Sequence, residues 1–266
     1  MKLDRVIRTL SRVLLIDRLY EHILENEVER GPFPKHIGVI MDGNRRWASA
    51  KGLAVHIGYT FGADVAENFL RWCLKYNIKT VTLYALSVDN IRKRKQDELD
   101  AIYSSMYDKL RRLEESGLIQ QHSIMVNALG NIEMLPDFLK NQVYRLEEIS
   151  HKNSGMYLNL ALAYSGRLEI IQAVRRIADD VKNGKLPEEQ INESSFMNYL
   201  STAKIDNPEP DLILRTSGEM RLSDFMIYQS SYSEMIFIDE FWPELRKIDF
   251  LRALRTYEER NRRYGK

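Results

Sequence analysis

A single cysteine, Cys73, stands among the 266 residues, which excludes an internal disulfide and a cysteine-held zinc ion and fits a reducing, cytoplasmic compartment. Charge of one sign is just as scarce. The 39 Lys and Arg face 38 Asp and Glu, a formal net charge of +1, so no global field favours nucleic acid and any anion site must come from local clustering. No apolar run is long enough to span a membrane, and Arg5, Arg8, Arg12, Asp17 and Arg18 break the first thirty residues before any signal-peptide core forms. Also missing are a Gly-x-x-x-x-Gly-Lys-Ser/Thr loop, a Gly-x-Gly-x-x-Gly turn after the first strand-like run, a Gly-x-Ser-x-Gly elbow and a metal-binding histidine pair. A P-loop nucleotide hydrolase, a dinucleotide enzyme, a serine hydrolase and a zinc enzyme are thereby disfavoured. Internal repeats and low-complexity tracts are absent.

What remains is 44% hydrophobic residues, enough to bury a full core as one large domain or two small ones. Leu3, Val6, Ile7, Leu10, Val13 and Leu14 recur at helical spacing with basic residues between them, which predicts an amphipathic N-terminal helix within residues 1–30. Its stripe fits packing on the protein's own body or a sister subunit; peripheral contact with a membrane surface is the alternative. Gly31-Pro32-Phe33-Pro34 ends that segment, and residues 31–266 form the remaining unit. From there strand-like runs at 36–41, 80–86, 123–129, 156–163, 211–215 and 235–238 alternate with helical patterns, as with Leu99, Ile102, Tyr103, Met106, Leu110 and Leu113. An α/β fold with a six-stranded, mainly parallel sheet follows, and several strands are apolar almost throughout because both faces are covered.

In such a sheet ligands bind at the carboxyl ends of the strands. Four of the six ends are loaded: Asp42, Asn44, Arg45 and Arg46 follow the first run; Ser87, Asp89, Asn90, Arg92 and Lys93 the second; Ser165, Gly166 and Arg167 the fourth; Thr216, Ser217, Gly218, Glu219, Arg221 and Ser223 the fifth, with Arg215 at its end. Each loop alone reads as turn chemistry and solvated charge. Together they predict an anion pocket. Arginine forks suit a diphosphate, and Mg²⁺ takes oxygen ligands, often one or two carboxylates plus phosphate oxygens and water. Asp42 is the natural carboxylate; Glu234, just ahead of the sixth run, is a candidate second ligand or a solvated strand-end charge.

Three stretches, His-Ile-Gly-Val-Ile-Met-Asp-Gly-Asn-Arg-Arg-Trp-Ala, Thr-Leu-Tyr-Ala-Leu-Ser-Val-Asp-Asn and Arg-Thr-Ser-Gly-Glu-Met-Arg-Leu-Ser-Asp-Phe, resemble the cis-prenyltransferases, the undecaprenyl and dehydrodolichyl diphosphate synthase family. The likeness runs from about residue 34 to the C-terminus and takes in 159–167 and Phe241-Trp242-Pro243. The long leader, and Arg45 where bacterial members carry Gly, resemble the archaeal, geranylgeranyl-using branch. The resemblance implies one domain with a hydrophobic tunnel between sheet and helices, a homodimer, and Mg²⁺-dependent condensation of isopentenyl diphosphate onto an allylic diphosphate with a new cis double bond each time. The long polyprenyl diphosphate so made would be the precursor of a glycosyl carrier lipid. Gly43, Asn44, Arg45, Arg46 and Trp47 would surround the allylic diphosphate or its chain, with Tyr59, Ser87, Val88, Asp89, Ile91 and Lys93 closing the pocket. Arg215, Arg221, Leu222 and Ser223 would hold isopentenyl diphosphate, joined by Arg263 and Gly265 of a neighbouring subunit's tail.

The family assigns proton removal to the position of Asn90, but a neutral amide is a poor base. A phosphate oxygen or Asp42 is the better acceptor, with Ser87 and Asn90 holding the geometry. Departures from the family pattern concentrate at the mouth: Val55 and Tyr59 replace the usual Arg and His, with His56 beside Val55; Lys93 replaces Arg, Asp89 shortens Glu, and Ile91 replaces an aromatic. Ala85 fits a roomy tunnel or ordinary close packing. Two other readings compete. An Asp-nucleophile phosphohydrolase needs a second Asp where Asn44 stands. A non-catalytic partner subunit would lack the machinery that Asp42, Arg46, Ser87 and Asn90 supply.

Overall fold

The computed structural model describes residues 16–28 and 31–264. The stripe from Leu3 to Leu14 lies outside the described residues. Along the chain, α1 (Ile16–Val28) precedes β1 (His36–Ile40), α2 (Asn44–Ala50), α3 (Val55–Lys75), β2 (Thr80–Tyr84), α4 (Val88–Lys93) and α5 (Gln96–Glu115). Then come α6 (Leu118–Gln121), β3 (Ile124–Leu129), α7 (Asp137–Ser150), β4 (Met156–Ala161), α8 (Gly166–Lys182), α9 (Glu193–Met197), β5 (Leu212–Arg215), β6 (Glu234–Phe237) and α10 (Lys247–Tyr264).

All six strands are parallel, in the order β3-β4-β2-β1-β5-β6. Every expected strand is present within two residues of its predicted ends, and the sheet is wholly rather than mainly parallel. Alternation along each strand divides the core. Val39, Leu83, Leu160 and Leu214 face Phe69, Leu110, Phe250 and Leu254 of the helices, whereas Ile40, Ala161, Leu129 and Ile213 meet Tyr164, Phe225 and Met226 on the opposite face. Because β2 leaves β1 on one side and β5 sits on the other, the crevice beyond the carboxyl ends of β1 and β5 is the switch point where ligands settle in such sheets.

α1 lies on α10, with Leu24 and Val28 fully buried. Its acidic side chains meet basic ones across the seam: Asp17 with Arg246 at 3.0 Å, Glu21 with Lys247 at 2.8 Å, Glu27 with Arg255 at 3.1 Å. This part of the leader therefore packs on the protein's own body. A directed chain of hydrogen bonds crosses four strands, running through the middle of β3, β4 and β2 to the first residue of β1. Asn127 Nδ2 donates to Asn159 Oδ1 (3.0 Å), Asn159 Nδ2 to Thr82 Oγ1 (3.0 Å), Thr82 Oγ1 to His36 Nε2 (2.7 Å), and His36 Nδ1 to the Asn207 carbonyl (2.8 Å). A carbonyl can only accept, so the proton sits on His36 Nδ1.

Candidate active site

Asp42 is held before its side chain is used. Its carbonyl accepts from Thr216 Oγ1 at 2.7 Å and from the Trp242 amide at 3.0 Å, pinning the end of β1 to the segments after β5 and β6. Gly43 follows at φ +105°, and a Cβ there would lie 2.6 Å from the Phe241 ring, so glycine is required for the chain to turn into α2. The carboxylate then reaches two cations. Oδ2 accepts from Arg215 Nη2 at 2.7 Å, and Oδ1 lies 3.2 Å from Arg46 Nη2. Burial pushes the Asp42 carboxyl up, but the Arg215 hydrogen bond and the charges of Arg215 and Arg46 outweigh it and hold the group below the usual carboxylate range.

Arg215 has only 4% of its side chain exposed and acts as a fork. Nη2 holds Asp42, while Nη1 donates to Ser223 Oγ at 2.8 Å and to the Arg221 carbonyl. Its Nε is buried and unpartnered. Arg46 donates to Ser217 Oγ at 2.7 Å and Glu219 at 2.9 Å, and its guanidinium lies 5.7 Å from the Phe241 ring centre. Glu219 also holds Arg221 at 2.6 Å, so two arginines stand ready at one rim. Leu222 packs into the aromatic cluster behind them.

Across the mouth, Ser87 caps α4 by accepting from the Asn90 amide at 3.0 Å, and Val88 is buried beneath. Asp89 and Lys93 pair with each other at 2.6 Å on the exposed rim, and Ile91 packs on the main core. Tyr59 donates to Glu98 at 2.8 Å, and Arg94 binds both groups and approaches Asn90 Oδ1 at 3.4 Å. Burial pushes the Tyr59 hydroxyl up to about 12, so it remains a donor. Arg45 is largely exposed and reaches Glu98 at 3.5 Å. Asn44 Nδ2 donates to the Met41 carbonyl, its Oδ1 is buried against Gly62, and Trp47 is buried with its ring 5.1 Å from that of Phe61.

A polar basin lined by Asp42, Arg46, Ser87 and Lys93 thus opens onto an apolar tunnel between the sheet and helices α3 and α5, walled by Ala66, Leu70, Ala85, Met106, Leu113 and Leu160. The tunnel encloses about 320 Å³, within the size range of ligand pockets. Ala85 lines it. The sheet does not bring Glu234 to this basin. Glu234 opens β6 opposite Leu212, three residues below Arg215, and so stands at the amino edge, where Arg260 takes it at 2.7 Å. A residue just before a parallel strand faces the end opposite the ligand crevice, which corrects the expectation of a second metal carboxylate. Arg263 belongs to the last turn of α10, and Gly265 lies outside the described residues. Tyr84, Arg94, Glu98 and Asp224 line the basin without having been singled out by sequence. Tyr84, the last residue of β2, was within reach of the strand-end rule; Arg94 and Glu98 carried only a helical spacing of four, and Asp224, though it follows Ser223 in the third family-like stretch, carried no sign of the contacts it makes.

The comparisons with known proteins decide the family. The undecaprenyl diphosphate synthase family model matches residues 40–265. The chain belongs to the cis-prenyltransferases. This cis-prenyltransferase is 44% identical over 98% of its length, and 96% of the relative's, to the tritrans,polycis-undecaprenyl-diphosphate synthase (geranylgeranyl-diphosphate specific) of Methanopyrus kandleri. It is 42% identical to the protein of the same name from Thermoplasma volcanium, covering 95% of this chain and 96% of that one. Its fold matches lavandulyl diphosphate synthase from Lavandula x intermedia, solved with dimethylallyl diphosphate, with a TM-score of 0.82, 34% identity, and coverage of 85% of this chain and 95% of that one. The enzyme is a prenyl transferase whose reaction is prenyl-chain condensation, and a polar basin leading into an apolar tunnel suits substrates with a charged head and a hydrocarbon tail. Among the described residues no helix is long and apolar enough to cross a membrane, and no three His, Cys, Asp or Glu side chains are grouped to hold a metal.

Proposed function

We propose that this cis-prenyltransferase adds isopentenyl diphosphate repeatedly, in cis and with Mg²⁺, to an allylic diphosphate, building a long polyprenyl diphosphate that serves as precursor of a glycosyl carrier lipid. Geranylgeranyl diphosphate is the starter favoured by the names of the archaeal relatives, with farnesyl diphosphate second. The observation that carries the reading is Asp42 gripped between Arg215 and Arg46 at the mouth of an apolar tunnel. A lone carboxylate suits Mg²⁺, which keeps waters and borrows phosphate oxygens, so Asp42 would hold it without a second protein ligand. When bound, the ion neutralises charge on the departing diphosphate.

The chain's own residues supply the rest. Arg46 and Arg45, with Asn44, Gly43 and Trp47 behind them, orient the allylic diphosphate, and Tyr59, Ser87, Val88, Asp89, Ile91 and Lys93 close the basin over it. Arg215, Arg221, Leu222 and Ser223 hold isopentenyl diphosphate. A carboxylate kept below its usual range by two guanidiniums is a weak base, so the proton leaves to a phosphate oxygen while Ser87 and Asn90 fix the geometry. Asn44 speaks against the phosphohydrolase reading, because its amide is spent on the Met41 carbonyl and carries no acidic proton. A homodimer, completed by Arg263 and Gly265 of the neighbour, is supported by the exposed apolar stripe Leu168, Ile171 and Val174 on α8, 40–49% exposed.

Replacing Asp42 by Ala tests the reading. Incorporation of labelled isopentenyl diphosphate at saturating Mg²⁺ should fall on the order of 10²–10³-fold, the size of one lost charge-stabilising group. Undiminished elongation would overturn it. Chromatography of the products made from each starter distinguishes geranylgeranyl from farnesyl diphosphate.

A further inference from the structure

The loop that carries Ser223 is bent in a way its residues resist. Ser223 (φ +50°), Asp224 (φ +66°) and Met226 (φ +44°) all lie in the left-handed region, though none is glycine. Side chains rarely adopt that region unless their surroundings over-determine it, and such residues cluster at working sites. Two groups from distant parts of the chain do the determining. Asp224 Oδ1 accepts from the Arg167 amide at 3.0 Å, Oδ2 from Ser165 Oγ, and the Asp224 carbonyl accepts from the Gly166 amide at 2.9 Å. The loop is thus tied to the start of α8. From the other side, the Tyr84 hydroxyl donates to the Ser223 carbonyl at 3.2 Å, and the Tyr84 ring stacks on fully buried Phe225 at 4.8 Å and 15°.

What this shape delivers is the other half of the Arg215 fork. Ser223 Oγ and the Arg221 carbonyl both accept from Arg215 Nη1, which fixes the guanidinium plane whose second nitrogen holds Asp42. We propose that Tyr84 and Asp224 are positioning residues that lock 222–226 in its strained form, and thereby set the affinity for isopentenyl diphosphate rather than for the allylic partner. The inference rests on the assignment of Arg215, Arg221 and Ser223 to isopentenyl diphosphate made above.

Three variants of the full chain isolate the effect. Tyr84→Phe keeps the stack on Phe225 and removes only the hydroxyl. Asp224→Gly removes both carboxylate contacts at a backbone conformation that glycine adopts without strain. Asp224→Asn keeps one acceptor and tolerates that backbone region, and serves as the rescue. Steady-state kinetics with each substrate varied should give a rise in KM for isopentenyl diphosphate of about five- to tenfold for Tyr84→Phe, and about tenfold or more for Asp224→Gly, as expected for one and for several lost hydrogen bonds. KM for the allylic diphosphate should stay within about twofold, and Asp224→Asn within about threefold of wild type on both. Equal rises in the two KM values, or none, would overturn the proposal. Ser223→Ala and Arg221→Ala are the reference: if they raise KM for isopentenyl diphosphate and the positioning variants do not, the positioning role alone fails. If the reference variants are silent, the substrate assignment has failed and the proposal with it.

Discussion

Arg215 gathers three acceptors from two segments with one planar group: the Asp42 carboxylate after β1, and Ser223 Oγ and the Arg221 carbonyl after β5. A lysine would keep the charge and lose the fork, because an ammonium on a flexible stem cannot hold the acceptors in one plane. Arg215→Lys should therefore lower kcat/KM about tenfold to a hundredfold, even though the formal charge of the site is unchanged. The acid side of the pH profile gives a second reading. Asp42 titrates below its usual range because of the Arg215 hydrogen bond and charge working against burial. Weakening that bond raises the Asp42 pKa, so the acid limb of the kcat profile should move to higher pH in the variant. A variant with wild-type kinetics and an unmoved limb would show that charge alone suffices.

At the scale of elements, the mouth is shaped by how closely α3 approaches α2. Gly62 lies mid-helix, where glycine costs about 1 kcal/mol relative to alanine. A Cβ there would run into Asn44 Oδ1 and sit 3.0 Å from Trp242, whose indole N–H donates to the Gly62 carbonyl at 2.6 Å. Gly62→Ala should thus destabilise despite its better helix propensity, because overpacking costs about 1–3 kcal/mol and outweighs the gain. A melting temperature a few degrees lower, by calorimetry or circular dichroism, checks this; a rise would mean the seam has room. The elements themselves were legible. Doubly covered parallel strands read as apolar runs, and the strand-end rule found Asp42, Arg46, Ser87 and Arg215 because Asp42 and Ser87 directly follow a run, Arg215 ends one, and Arg46 lies in the loop-and-helix start that follows the first. The partners were not legible. Tyr84 reaches Ser223 from 139 positions away and Asp224 meets Arg167 from 57, and no periodicity encodes such a pairing. Glu234 was misplaced for a related reason: its run was recognised, but which end of the sheet a preceding residue faces depends on strand direction.

For the molecule as a whole, the site is built on a sheet whose strands are tied below it by neutral polar groups. The chain from Asn127 through Asn159 and Thr82 to His36 and the Asn207 carbonyl joins β3, β4, β2 and β1 to the segment before β5, and it works only while His36 is uncharged. Burial lowers the His36 pKa from 6.5 to about 4, against the smaller opposing effect of its backbone hydrogen bonds. Above pH 6.5 the folded and unfolded chains carry the same neutral imidazole, so the interaction is fully present. Between pH 6.5 and about 4 the unfolded chain takes up a proton that the folded one refuses, and stability falls with pH, by about 3 kcal/mol across that window. Protonation would also put a donor on Nε2 facing Thr82 Oγ1, reversing that bond and leaving the hydroxyl proton without its His36 acceptor. Urea unfolding at pH 7.0, 5.5 and 4.5 should show this slope in the wild type, and His36→Gln should flatten it while lowering stability at pH 7.0 through the lost contacts. If the variant keeps the full slope, the acid sensitivity belongs to the paired carboxylates, Asp42 among them, whose own loss of stability falls at lower pH.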